Sequence, residues 1–249
     1  MQLNIAWAST VSPLRSCDAP PQPQAWQNNP LYQTEMQRID INNALPAVFA
    51  GREPQPSEVW QCRLTLERGK RYLIVADSGT GKSSLCSYLY GYRRDYSGTI
   101  TFDNTDTRTL TVLQWCELRK HSLAYLPQEM RLFPELTALE NVWLKNQLTL
   151  NKSLDQVKEL FETMGIADKL NSPVARLSIG QQQRVAIIRT LCQPADFYIL
   201  DEPVSHLDAD NNRTVARLFA DAASQQGAAI IATSVGNHLA LDYDIELKL

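Results

Sequence analysis

The chain has 249 residues, 44% hydrophobic and 20% charged, which is enough apolar material for one large domain or two small ones and excludes general disorder. Its 24 Lys and Arg against 27 Asp and Glu give a formal charge of −3, so it lacks the basic field of a nucleic-acid binder. No apolar run approaches the roughly 18–20 residues that cross a bilayer, so no membrane helix is expected.

Residues 1–35 hold Pro13, Pro20, Pro21, Pro23 and Pro30 and show no hydrophobic periodicity, which reads as an extension or docking arm, partly disordered until docked. They also lack a basic segment followed by an apolar one, so no secretion signal is expected. Gln37 to Asn43 alternates as a strand does, a loop with Pro46, Pro54 and Pro56 follows, and Val59 to Leu66 alternates again. Glu67-Arg68-Gly69-Lys70 is a turn leading into Arg71–Ala76, an apolar run of the length of a buried strand. A helix is expected over 82–90, and apolar residues at helical spacing run through 138–170. Phe197–Leu200 and Ala228–Thr233 read as further central strands with helices between them, so the expected fold is α/β, a parallel sheet covered on both faces. Five cysteines (Cys17, Cys62, Cys86, Cys116 and Cys192) are an odd number without a CxxC pair. They are expected to be buried, reduced thiols of a cytosolic protein, neither a disulfide framework nor a zinc site.

Two stretches carry phosphate chemistry. Ala76-Asp77-Ser78-Gly79-Thr80-Gly81-Lys82-Ser83 joins a strand to a helix and ends Gly-x-Gly-Lys-Ser. Its glycines let successive backbone N–H groups face an anion at a helix N-terminus, Lys82 reaches the β- and γ-phosphates, and the Ser83 hydroxyl ligates Mg²⁺. Ala76 stands where this pattern has its first glycine. Phe197–Leu200 ends in Asp201-Glu202, two carboxylates at the C-terminal edge of a buried strand, where ligands of open α/β sheets bind. Asp201 would hold Mg²⁺ through water, and Glu202 would orient or deprotonate the attacking water.

A third stretch decides the family. Leu177-Ser178-Ile179-Gly180-Gln181 precedes a helix and resembles the Leu-Ser-x-Gly-Gln signature of the ATP-binding cassette (ABC) ATPases, with Ile179 where relatives have glycine. The resemblance covers residues ~37–249. It implies a P-loop NTPase core with a parallel central sheet, an N-terminal antiparallel β portion and an inserted helical subdomain over about 129–189, within an ATPase domain of residues 36–249. It also implies that Ser178, Gly180 and Gln181 serve a nucleotide held by a second cassette, and that Ser78, Gly79, Thr80, Gly81 and Ser84 complete the cradle around Lys82 and Ser83. Gln128 in Tyr125-Leu126-Pro127-Gln128 resembles the Q-loop glutamine on Mg²⁺ and water, and Asp208 in Ser205-His206-Leu207-Asp208 resembles the D-loop aspartate that reaches across the dimer. Phe49 resembles the aromatic that stacks on adenine; a loop-anchoring core residue is the equal alternative. The family's switch histidine falls at Ser234, with His238 four residues on. Serine donates one hydrogen bond but carries no charge, so nucleotide binding with slow hydrolysis is expected.

The resemblance further implies ATP and Mg²⁺ as cofactors, a second cassette (a copy or a sister chain), and a separate transmembrane permease, with the chain cytoplasmic and peripheral on the membrane. Residues 129–142 are where relatives grip the permease, and Met130, Leu132 and Phe133 are expected either to form that groove or to be core. The phrasing Leu132-Phe133-Pro134-x-Leu136-Thr137-Ala138-x-Glu140-Asn141-Val142 is similar to lipoprotein-release, macrolide-export and cell-division cassettes. The alternative function is a regulatory or scaffolding ATPase that switches a membrane complex without moving a substrate.

Overall fold

The computed structural model describes residues 35–51 and 56–249. The expected arm at 1–35, but for Glu35, and Cys17 within it lie outside the described residues. Met36–Leu249 form one compact unit.

Among the described residues, two sheets carry the fold. The first is antiparallel, in the order β2-β1-β4-β5, from β1 (Arg38–Pro46), β2 (Arg63–Glu67), β4 (Tyr96–Phe102) and β5 (Thr105–Asp106). Its strands alternate, with Ile39 and Ile41 of β1 and Ile100 and Phe102 of β4 turned inward and fully buried. The second is parallel, in the order β6-β7-β8-β3-β9, from β3 (Arg71–Val75), β6 (Leu123–Leu126), β7 (Phe197–Asp201), β8 (Ala229–Ser234) and β9 (Ile245–Lys248). Every residue of β7 and β8 is buried, as strands covered on both faces must be, which is why their sequences read as unbroken apolar runs. Pairing in register sets Val75 beside Ser234 and Asp201 beside Thr233, so the C-terminal ends of β3, β7 and β8 lie in one row.

The helices are α1 (Lys82–Leu89), α2 (Val112–His121), α3 (Ala138–Asn146), α4 (Leu154–Thr163), α5 (Ile179–Leu191) and α6 (Ala209–Gln226). Four of them open on a capping box, in which a Ser or Thr hydroxyl accepts from the third helical N–H while that residue's side chain accepts from the cap N–H: Thr111–Gln114, Thr137–Glu140, Ser153–Gln156 and Ser178–Gln181. The α3–α5 segment lies between β6 and β7, and Val142, Val157, Phe161, Val185 and Ile188 join its helices to the main core.

Three expectations change. The strand foreseen from Val59 begins only at Arg63, because the Ser57 hydroxyl accepts the N–H groups of Val59 (3.1 Å) and Trp60 (2.8 Å) and curls 57–62 into turns. The helical run 138–170 is two helices: the Asn146 side chain bonds both the Lys152 carbonyl (2.8 Å) and the Lys152 N–H (3.0 Å), ending α3 and closing a loop before α4. Of the described cysteines, all free, only Cys86 and Cys192 are buried; Cys62 is half-buried, and Cys116 is exposed on α2, off the face that buries Trp115 and Leu118. Of the residues expected as groove or core, Met130 is buried, Leu132 packs on the core and Phe133 is exposed.

Candidate nucleotide site

The loop 76–81 leaves β3 between β8 and β9 and winds into α1. Gly81 has φ +106°, closed to ordinary side chains, and a Cβ there would stand 2.9 Å from the Phe49 ring and 3.3 Å from Trp60. The Trp60 indole N–H donates to the Thr80 carbonyl (3.2 Å), and the Thr80 hydroxyl donates to the Asp77 carbonyl (2.8 Å), so the loop is held from outside and from within. Ala76, in place of glycine, is not among the residues with positive φ, so its methyl costs no backbone strain; its N–H donates to the Ser234 carbonyl (3.2 Å). Lys82 is buried. Its ammonium donates to the carbonyls of Asp77 (2.9 Å) and Ala76 (3.2 Å) and lies 4.0 Å from Glu202 Oε1. Ser78, Gly79 and Ser83 are exposed on the loop, whereas the Ser84 hydroxyl accepts from Arg93 (3.0 Å).

Asp201 is buried at the end of β7. Burial raises its pKa, and hydrogen bonds from Ser83 and Thr233, with the charge of Lys82, oppose that rise. Glu202 follows with φ +50°, an uncommon left-handed conformation for a non-glycine residue, which turns its carboxylate toward Lys82 and Gln128. Gln128 Nε2 donates to Glu202 Oε2 at 3.3 Å, so the loop after β6 meets the loop after β7. Thr233 ties the two acids together: its hydroxyl donates to Asp201 Oδ1 (2.8 Å) and accepts from the Glu202 N–H (3.3 Å).

Ser234 is buried, and its hydroxyl has no hydrogen-bond partner. His238 is exposed and stands edge-on to Tyr243, 6.2 Å between ring centroids. Ser178 caps α5 as a hydrogen-bond acceptor from Gln181, which leaves its own hydroxyl proton to donate elsewhere; Ile179 beside it is 58% exposed. A Cβ on Gly180 would stand 3.1 Å from the His206 carbonyl, so the signature loop and the 205–208 loop lie against each other. Asp208 caps α6, accepting the Asn211 N–H (2.8 Å), and these bonds hold its pKa below the usual carboxylate range.

The arrangement is a phosphate cradle with a buried lysine, a carboxylate pair and an amide converging on one end of a parallel sheet. A family model described as ABC transporter matches residues 59–205. The lipoprotein-releasing system ATP-binding protein LolD of Shewanella denitrificans is 30% identical over 218 residues, covering 85% of this chain and 92% of that one. The chain belongs to the ABC transporter ATP-binding proteins. An uncharacterized ABC transporter ATP-binding protein of Bacillus subtilis, YclH, is 30% identical over 75% of the cassette and 83% of its own length. Among solved structures, the dimeric bacterial ABC transporter cassette MJ0796 superposes with a TM-score of 0.68 at 24% identity, over 79% of this cassette and 87% of that chain. The cassette is thus an ATP-binding subunit of an ABC transporter, of the ATP-hydrolysing family. Among the described residues no helix is long and apolar enough to cross a membrane.

Sequence reading missed three residues of this site. Trp60 sits in irregular chain with no motif around it. Thr233 looked like the last residue of an apolar strand. Gln183 looked like part of a polar helix start, yet it is buried and its amide donates to the Pro203 carbonyl (2.9 Å) while accepting the His206 N–H (3.1 Å). Its place on the buried face of α5, among Val185, Ala186 and Ile187, was the available signal.

Proposed function

We propose that the cassette binds ATP with Mg²⁺, closes against a second cassette and thereby drives a separate membrane permease in export or in lipoprotein-type envelope work, the chain sitting peripherally on the cytoplasmic face. The observation that carries this reading is the convergence of Lys82, Asp201, Glu202 and Gln128 at one sheet end. The 30% identity to a lipoprotein-releasing ATP-binding protein supports the export class. The domain is read as residues 36–249 with 129–189 as its inserted helical part, Phe49 standing where the adenine would stack.

In this reading Lys82 leaves the Ala76 and Asp77 carbonyls for the β- and γ-phosphates, exchanging neutral acceptors for charged ones. The oxygen donors Ser83, Gln128 and Asp201 fit a hard cation, and a bound Mg²⁺ would neutralise charge on the phosphates. Glu202 accepts the proton of the attacking water, with Gln128 fixing its carboxylate. Ser178, Gly180, Gln181 and Asp208 serve the nucleotide of the facing cassette, and the Ser234 hydroxyl takes the switch position, where a single neutral donor supports slow turnover.

Replacing Lys82 by Ala is expected to weaken ATP binding about tenfold to a hundredfold, the worth of one or two charge-assisted hydrogen bonds. Glu202→Gln is expected to keep ATP affinity and lower turnover by roughly 10²–10⁴. Equilibrium binding of a fluorescent ATP analogue and phosphate release check both; an unchanged affinity in Lys82→Ala would sink the nucleotide assignment. A second reading, the regulatory switch, is favoured by Ser234 at the histidine position. Proteoliposomes with the permease decide it: ATP-dependent assembly without substrate movement means a switch.

A further inference from the structure

Between its two ends, the phosphate loop is tied to the surrounding structure at a single peptide. The Trp60 indole N–H donates to the Thr80 carbonyl (3.2 Å), and among the described residues no other group outside 76–82 hydrogen-bonds the chain from Asp77 to Thr80. The remaining ties are the loop's own: the Thr80 hydroxyl and the Lys82 ammonium both donate to the Asp77 carbonyl (2.8 and 2.9 Å). On the ATP-binding reading Lys82 leaves for the phosphates, so the indole bond is the tie from outside that persists. Trp60 is itself fixed. Its main-chain N–H donates to the Ser57 hydroxyl (2.8 Å), and the Gln61 N–H donates to the Ala44 carbonyl of β1 (2.9 Å). The ring is buried and meets Tyr88 of α1 edge-on, 6.4 Å between centroids. The antiparallel sheet and α1 hold the indole, and the indole holds the loop.

What this bond fixes follows from the peptide plane. Across a trans peptide the carbonyl and the next N–H point in opposite directions, and the plane turns as a unit. The 80–81 peptide is trans, so a Thr80 carbonyl held toward Trp60 sends the Gly81 N–H the other way. That N–H has no acceptor among the described residues, and it stands at the start of α1, where an anion would find it. Gly81 makes the constraint necessary. Its φ is +106°, and glycine takes either sign of φ, so the 80–81 peptide meets no steric bar to rotation at that end. Turned over, it would present a carbonyl oxygen to the phosphates in place of a donor. A buried indole N–H requires an acceptor in any case. Placing that acceptor next to a glycine converts the requirement into control of the loop.

We propose that Trp60 is a positioning residue of the nucleotide site: its indole N–H pins the 80–81 peptide so that the Gly81 N–H faces the phosphates before ATP arrives. The proposal rests on the reading of 76–83 as an ATP cradle and adds a residue that no motif marks. Trp60 acts through the main chain of the loop. Its loss is therefore felt in phosphate binding and spares the chemistry at Glu202.

The test compares full-length chains by equilibrium binding of ATP with Mg²⁺ and by steady-state phosphate release. Beside the unaltered chain stand Trp60→Phe and a chain with benzothienylalanine at 60, in which sulfur replaces the indole N–H at nearly the same ring size. The benzothienyl chain is expected to bind ATP about fivefold more weakly, the bias that one net hydrogen bond gives to two orientations of a peptide. Its turnover at saturating ATP should stay within about twofold, because bound phosphates then orient the peptide themselves. Trp60→Phe should lose at least as much affinity, since it also leaves space beside Gly81. The Trp60 indole N–H resonance, identified by its absence from Trp60→Phe, gives a second readout. It should move downfield when ATP with Mg²⁺ saturates the unaltered chain, because an anion on the Gly81 N–H polarises the peptide and strengthens its carbonyl as an acceptor. An indole resonance unmoved at saturation overturns the pin. So does a benzothienyl chain of full affinity, which would reduce Trp60 to packing even if Trp60→Phe binds weakly. If the unaltered chain itself fails to bind ATP, the nucleotide reading falls first and the pin falls with it.

Discussion

Thr233 and Ser234 are adjacent, both buried, and opposite in their bonding, which lets chemistry be separated from stability at single residues. The Thr233 hydroxyl makes two bonds, one to each acid of the site, so Thr233→Val leaves a buried carboxylate oxygen and the Glu202 N–H short of a partner. A loss of roughly 1–3 kcal/mol is expected, with turnover reduced and ATP affinity little changed, while Thr233→Ser should recover both. Denaturant unfolding and steady-state kinetics on the same preparations check it. The Ser234 hydroxyl makes no bond, so Ser234→Ala should leave stability unchanged or slightly higher, since removing an unsatisfied buried polar group relieves a cost. If Ser234→Ala nonetheless slows phosphate release several-fold, the hydroxyl acts only once the γ-phosphate is present. Unchanged turnover would remove Ser234 from the mechanism.

In the proposed reading, helix α5 links residues that would serve the facing cassette to residues that would serve its own nucleotide. Ser178 opens it, and Gln183 further along clamps the chain from Glu202 to His206, so hydrogen bonds tie α5 to the carboxylate strand end and the 205–208 loop. Gln183→Ala is expected to lower turnover at unchanged ATP affinity and to flatten cooperativity in ATP concentration; full cooperativity in that variant would disprove the linkage. Helix α3 depends on its first turn. The Glu140 pKa is lowered mainly by hydrogen bonds from Thr137. A carboxylate whose folded pKa is depressed adds stability above its unfolded pKa and loses it as pH falls through the folded value. Thr137→Ala should therefore cost about 1 kcal/mol at neutral pH and shrink, without abolishing, that acid-range contribution, because the backbone N–H at 137 still donates to Glu140 (2.8 Å); unfolding midpoints between pH 3 and 7 read it. At this scale β3, β7 and β8 were legible because burial on both faces leaves an apolar run, and the phosphate loop because its glycines and lysine are contiguous. Strands β4, β5, β6 and β9 went unread: β5 has two residues and β6 four, β9's four acquire meaning only beside β3, and Gly98 with its polar neighbours blurs the alternation of β4. The Gln183 clamp and the Trp60 pin were hidden for the same reason: each joins residues about twenty positions apart through a fold the local pattern does not encode.

For the whole molecule the open question is which chain faces this one. Ile179 is an exposed apolar residue at the first position of α5, and burying such a side chain contributes about 1.5–3 kcal/mol. Closure against a second cassette would bury it, so it should tighten that contact while crowding the opposing phosphate loop. In a dimer of this chain both sites carry Ala76, Ile179 and Ser234, whereas with a sister cassette the substitutions divide between two unequal sites. Glu202→Gln, loaded with ATP so that closure outlasts the measurement, should double in mass by light scattering if copies pair, and Ile179→Lys should abolish the doubling by placing an unpaired charge in the closing surface. Should Glu202→Gln stay monomeric at saturating ATP yet shift on addition of a second cassette from the same source, the pairing is with a sister chain. Lys82→Ala then separates the roles. In a pair of unlike sites, disabling this chain's own phosphate loop leaves the site that uses its Ser178 and Gly180, so about half of the bound nucleotide and a finite turnover should persist. In a pair of copies the same change weakens both sites alike, so at an ATP concentration that fills only an intact loop neither site is occupied and turnover is lost.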